Sequence, residues 1–222
     1  MTMKPQPLIT DTATLAAFCK KLADEPFITL DTEFIREKTY WPQLCLIQLS
    51  GTDEAVAIDP LAKGIDLQPL YDLLANPKVL KVLHAARQDM EIFYFAMSER
   101  DSRRLTEQGE AQSLKAGASQ RGGGSEAAGA RLPFKIQTLP GPIFDTQVAA
   151  QVAGLGESVG YEALIKRLLG KTLDKSQRYT DWSRRPLTDA QIDYALGDVI
   201  YLHEAYRKLA ARIEKRGRMS WI

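Results

Sequence analysis

Asp31 and Glu33 stand two residues apart in the run FITLDTEF (27–34), whose alternation of apolar and polar residues predicts a strand. Side chains at that spacing share one face of a strand, about 6–7 Å apart along it. The run therefore presents two carboxylates side by side. Like charges repel and strand interiors disfavour Asp, so an isolated D-x-E most often marks the wet face of an edge strand. The alternative is a site for hard divalent cations, which take carboxylate oxygens and keep positions open for water and phosphate. That chemistry requires further carboxylates to converge on the pair, and the chain offers two. Asp89 opens a helical stretch just after the apolar segment ending at His84, at the kind of strand-to-helix junction where α/β proteins commonly bind ligands. Taken alone it is more simply a first-turn carboxylate favoured by the helix dipole, and His84 is more simply a hydrogen-bonded, partly buried histidine than a metal ligand. Tyr194 and Asp198 are four apart on a late helix, hence on one face, beside the apolar stripe Ile192, Ala195, Leu196, Val199 and Leu202.

The elements that must position these groups are legible to different degrees. FITLDTEF (27–34), LCLIQLS (44–50) and AVAIDP (55–60) read as strands, the last two joined by GTDE, which predicts an antiparallel meander. DLQPLYDLLAN (66–76) has helical spacing, KVLKVLHA (78–85) is strand-like, and RQDMEIFYFAM (87–97) is helical. Further helices are predicted at about 145–153 and at 160–169, the second closed by Gly170 as a C-cap. The final helix has the strongest start signal: Thr188 and Gln191 form a capping box, and Leu187 and Ile192 occupy hydrophobic-staple positions. Strands first, helices later and an alternation between them predict an α/β fold with a mixed sheet. Asp145, in IFDTQ, reads as a helix N-cap or a support near the site.

Composition is that of an ordinary globular domain: 222 residues, 45% hydrophobic and 26% charged. Disordered, collagen-like and disulfide-stapled chains are excluded. Cys19 and Cys45 lie in apolar surroundings and read as buried free thiols of a reducing compartment. The N-terminus lacks the pattern of an export signal, and no apolar run reaches 18 residues, so a cytoplasmic protein with no membrane partner is expected. The net charge of +1 conceals an acidic half, 9 basic against 13 acidic side chains over 1–98, and a basic half, 14 against 10 over 132–222. Such a division fits a site that holds cations and grips a polyanion. Between the halves, 99–131 has six Gly among its 33 residues and, Thr106 apart, no aromatic or β-branched side chain. It reads as a flexible surface insertion in one domain spanning 1–222.

Taken together, D-x-E on a strand, H-x-x-x-x-D, and Y-x-x-x-D on a late helix resemble the three exonuclease motifs of the tyrosine-containing subgroup of the DEDD superfamily. The flanking text, LDTEF, YWPQLCLIQLS, VLHAARQDMEIF, IFDTQVAAQVAG and LDKSQRYTDWSRRPLTDAQIDYALGDVIYL, is similar to the ribonuclease D family, over roughly 24–98 and 143–210. The resemblance implies a ribonuclease H-like 3′-5′ exonuclease fold and two divalent ions, Mg²⁺ or Mn²⁺. It implies that Asp31, Glu33, Asp89 and Asp198 ligate metal and that Tyr194 positions the attacking water. The implied reaction releases nucleoside 5′-monophosphates from single-stranded RNA 3′ ends, in RNA or tRNA processing or turnover. A DNA exonuclease of the same superfamily and a catalytically idle nucleic-acid-binding module are the alternatives. Physical chemistry agrees with the metal assignment, because two divalent ions about 3.5–4 Å apart neutralise converging carboxylates while clamping a phosphate. Asp31, nearest the middle of the set, is the expected bridge. An unperturbed tyrosine, with a pKa near 10, stays protonated at pH 7, so Tyr194 is expected to orient water by hydrogen bonding rather than to ionise.

Residues 166–185 carry Lys166, Arg167, Lys171, Lys175, Arg178, Arg184 and Arg185, with Tyr179 and Trp182 interleaved. Single-strand binders combine such charges with an aromatic that stacks on bases. Lys175, Arg178, Trp182 and His84 are the candidate substrate contacts. The sequence departs from the family in two ways: the polar 99–131 insertion, and an end at RGRMSWI where ribonuclease D continues into helical RNA-gripping domains. Weak, distributive substrate binding is the expectation that follows.

Overall fold

The computed structural model describes residues 3–36, 42–97 and 141–222; the 99–131 segment read as an insertion lies outside them. In chain order the elements are β1 (Lys4–Pro5), α1 (Thr12–Leu22), β2 (Phe27–Ile35), β3 (Gln43–Ser50), β4 (Glu54–Ile58), α2 (Gln68–Ala75), β5 (Leu80–Leu83), α3 (87–97), β6 (Ile143–Asp145), α4 (Thr146–Val152), α5 (Tyr161–Leu169) and α6 (Asp189–Glu214). They build a six-stranded sheet in the order β1-β4-β3-β2-β5-β6. β2, β3 and β4 form the expected antiparallel meander, while β5 runs parallel to β2 and β6 parallel to β5.

Strand alternation sorts the core into two faces. Ile28, Leu30, Ile47, Leu49, Val56 and Ile58 pack with Leu15, Phe18 and Leu22 of α1, Leu70 and Leu74 of α2, and Phe93 of α3. On the other face, Val82 and Phe144 meet α4, α5 and α6 through Ala149, Leu164, Leu202 and Leu209, and Leu46 and Ala57 meet Ala195 and Val199 of α6. The mixed α/β sheet flanked by helices is borne out. So are the Gly170 C-cap, at φ +71°, the reciprocal Thr188–Gln191 capping box and the two buried free thiols. Two elements carried weak sequence signals: α1, capped by Asp11 accepting from Thr14 N–H, and three-residue β6, which precedes the stretch read as helical and overlaps it only at Asp145.

Lys81 of β5 is fully buried, and burial pulls its pKa down to about 8. Its ammonium donates to the carbonyls of Asn76 (2.5 Å), Val79 (2.8 Å) and Gly141 (2.6 Å), joining the end of α2 to the entry of β6. Lys81→Met keeps the stem but strands these acceptors. Unpaired buried groups cost about 1–3 kcal/mol each, and we expect a net loss of about 3 kcal/mol. Thermal unfolding should show the midpoint falling by about 10 °C.

Candidate active site

The face of β2 that carries Thr29, Asp31 and Glu33 lies under α6. Thr29 Oγ1 donates to the Val199 carbonyl (2.9 Å) and lies 2.5 Å from Ser50 Oγ of β3. These buried hydroxyls anchor α6 to the sheet one residue from Asp198. As a result, Asp31, Glu33 and Asp198 each offer a carboxylate oxygen within 4.8 Å of the others. A bulge in the β2–β3 register between Glu33 and Phe34 breaks the alternation there, and both residues line the same cleft of about 490 Å³. Bulges re-aim side chains in this way beside active sites.

Asp89 reaches the site from the opposite layer. β5 ends at Leu83, so α3 begins beside the exposed flank of β2. Asp89 is buried there, accepting from Thr32 Oγ1 at 2.5 Å. It stands outside the three-carboxylate cluster, yet its charge raises the pKa values of both Asp31 and Glu33. The turn before it holds Ala85 at φ +55°, a left-handed conformation costing about 1–2 kcal/mol. Asp145 holds that turn by accepting from Ala85 N–H (3.0 Å) and Ala86 N–H (2.9 Å), and it caps α4 through Gln147 N–H (2.8 Å). It therefore fills both the N-cap and the supporting role.

Burial and mutual repulsion push these acids up. Glu33 rises to about 8, chiefly by desolvation and then by the charges of Asp198 and Asp89. Asp198 rises to about 7 by desolvation. Asp89 rises to about 6, with desolvation outweighing the bond from Thr32. Asp31, with all three other carboxylates nearby, is raised well above the ordinary range, desolvation again leading. A pKa raised by folding contributes stability that is complete below the unfolded value, near 4, and is lost as pH rises through the folded one. The metal-free protein should therefore lose stability progressively from about pH 4 to about pH 8. A bound divalent cation has to displace the retained protons. Titrations by calorimetry should show affinity rising with pH over this window, with proton release visible as a dependence on the buffer's ionisation enthalpy.

The donor set fits such an ion. All the oxygens are hard, the carboxylates are destabilised without a counter-charge, and the three oxygens lie within 4.8 Å of one another, a bound that admits the separation of about 4.2 Å between oxygens on opposite sides of Mg²⁺. Tyr194 projects from α6 into the cleft; burial, then the charges of Asp198, Glu33 and Asp31, drives its pKa upward, so its phenol remains a hydrogen-bond donor at neutral pH.

Lys175 and Arg178 line the same cleft as the carboxylates, with Lys175 paired to Glu162. His84 also lines it, its Nδ1 3.0 Å from Thr146 Oγ1, and burial lowers its pKa and keeps it neutral. Trp182 requires a correction. It is 2% exposed, packed in the core with Leu46 and Ala57, and its ring backs Tyr194 at 6.1 Å between centroids. A ring without a free face cannot stack on a base, and the exposed aromatic of this segment is Tyr179 instead. Arg185 is also engaged within the chain, making a bidentate pair with the buried Asp59 at 2.6 and 2.7 Å and donating to the Cys45 and Trp182 carbonyls. It braces the segment that bears Lys175 and Arg178. The residue that sequence reasoning missed is Tyr161, whose hydroxyl donates to the Asp198 carbonyl and whose ring tilts against His84 at 5.4 Å. No local signal marks it, because its partner lies 37 residues away.

A carboxylate cluster at the crossing of α6 and β2, in a mixed α/β sheet of this order, defines a class of phosphodiester-processing nucleases. The family model described as 3′-5′ exonuclease matches residues 7–214, and the chain belongs to that family. Within it, the resemblance to ribonuclease D is borne out: the chain is 44% identical over 219 residues to ribonuclease D of Granulibacter bethesdensis, covering 98% of this chain and 46% of that one. It thus spans about half the length of the curated relatives it matches. The crystal structure of Escherichia coli RNase D, described as an exoribonuclease involved in structured RNA processing, superposes with a TM-score of 0.76 at 35% identity, over 98% of this chain and 47% of that one. Brucella melitensis NrnC with bound Mg²⁺ shares the fold at a TM-score of 0.67 and 22% identity, over 100% of this chain and 86% of that one.

Proposed function

We propose that this chain is the catalytic exonuclease domain of a ribonuclease D-type enzyme, removing nucleoside 5′-monophosphates one at a time from the 3′ end of single-stranded RNA. The observation that carries the reading is the cluster of Asp31, Glu33 and Asp198 oxygens within 4.8 Å, in a cleft also lined by Lys175 and Arg178. Asp31, Glu33 and Asp198, with Asp89 beside them, would hold two divalent ions, Mg²⁺ or Mn²⁺, which supply Lewis-acid stabilisation of the phosphoryl charge and of the leaving 3′ oxygen. Tyr194 donates its phenolic hydrogen bond to the attacking water and aligns it with the scissile phosphorus. Attack forms the new P–O bond, the bond to the 3′ oxygen breaks, and that oxygen departs protonated. Lys175 and Arg178 hold the phosphates of the terminal nucleotides, and neutral His84 lines the adjoining wall. RNA or tRNA processing or turnover in the cytoplasm is the setting we assign; among the described residues no helix is long and apolar enough to cross a membrane.

A 5′-labelled single-stranded RNA and its DNA counterpart, incubated with Mg²⁺, Mn²⁺ or EDTA, test the reading. The expected result is a metal-dependent ladder that shortens from the RNA 3′ end. Equal or faster digestion of DNA would move the assignment to a DNA exonuclease. Retained binding without cleavage of either strand would identify an idle module.

A further inference from the structure

Gln48 sits in the middle of β3, fully buried, and neither the nitrogen nor the oxygen of its amide has a hydrogen-bond partner among the described residues. The register sets it directly opposite Asp31 on β2 and opposite Ala57 on β4, on the face that α6 covers. The next pair along that face, Thr29 and Ser50, is satisfied through the Val199 carbonyl, and Leu46 and Ala57 beside it are apolar. A carboxamide buried without partners costs free energy that a methionine or leucine of similar volume would not. Directly opposed Cβ atoms lie about 4.5–5.5 Å apart, so the Gln48 amide is within reach of the Asp31 carboxylate.

We propose that Gln48 is a positioning residue for Asp31. With a divalent ion in the site, its Nε2–H donates to the Asp31 oxygen turned away from the ion and sets the orientation of that carboxylate. Outer-shell partners of metal-ligating carboxylates act in this way. The inference rests on the metal reading above and concerns one amide within it.

The test pairs two measurements on Gln48→Met and Gln48→Leu: thermal unfolding of the metal-free protein, and Mn²⁺ titration by calorimetry, with Asp31→Asn run alongside to identify the site. We expect metal-free unfolding at or above the wild-type temperature, together with Mn²⁺ affinity reduced about 10–100-fold. Wild-type Mn²⁺ affinity in a folded variant would overturn the proposal, as would a lowered metal-free unfolding temperature in both variants, which would give the amide a purely structural role. Failure of the wild type itself to bind Mn²⁺ would overturn the metal reading as well, a result distinct from either.

Discussion

Asp31→Asn should nearly abolish exonuclease activity while making the metal-free protein more stable. The substitution keeps the shape of the side chain and removes its charge from the centre of the carboxylate cluster. A catalytic ion contributes several kcal/mol of charge stabilisation, so losing its bridge should slow nucleotide release by about three orders of magnitude. In the metal-free protein the same change relieves the desolvation of Asp31 and its repulsion from Asp89, Asp198 and Glu33, and at pH 8 the melting midpoint should rise by about 3 °C. A ligand at 100 times its dissociation constant stabilises by about 2.7 kcal/mol; Mg²⁺ should do this for the wild type and not for the variant. Unimpaired nucleotide release, or a variant still stabilised by Mg²⁺, would show that Asp31 holds no catalytic ion.

Tyr194→Phe should separate turnover from metal binding. Only the hydroxyl is lost, and the ring continues to pack against Trp182. A positioned hydrogen-bonding group at the reacting atoms contributes 10²–10⁴-fold, and orienting water without taking its proton belongs at the lower end. We expect kcat on single-stranded RNA to fall about 100-fold, with KM and Mn²⁺ affinity unchanged. A parallel loss of Mn²⁺ affinity would instead make Tyr194 a structural support for Asp198, four residues further along α6. Because burial raises the phenol's pKa, the wild-type pH profile should carry no tyrosine ionisation below pH 10.

Some of this was legible from local pattern. The strand bearing Asp31 and Glu33, the capping box at Thr188 and Gln191, the Gly170 terminator and the meander all depend on interactions within a few residues, which sequence spacing states directly. The joint order of the acidic motifs likewise identified the family, because few chemistries use D-x-E, a later Asp and Y-x-x-x-D in that succession. Helix α1 and strand β6 were less legible: α1 is packed onto the sheet by distant partners, and β6 has only three residues and takes its strand geometry from β5.

By itself, then, the sequence singled out the groups proposed to carry the chemistry and most of the elements that hold them. Only the tertiary structure decided how they meet. It drew Asp198 to within 4.8 Å of Asp31 and Glu33 while leaving Asp89 bonded to Thr32 at the flank. It buried Trp182 and tied Arg185 to Asp59, two residues that composition had grouped with substrate-facing neighbours, and it brought Tyr161 and Gln48 to the site from segments with no chemical signature. The physical reason is the same in each case. Side-chain type and spacing encode local geometry, whereas desolvation, cross-strand register and contacts over tens of residues depend on which layers pack together.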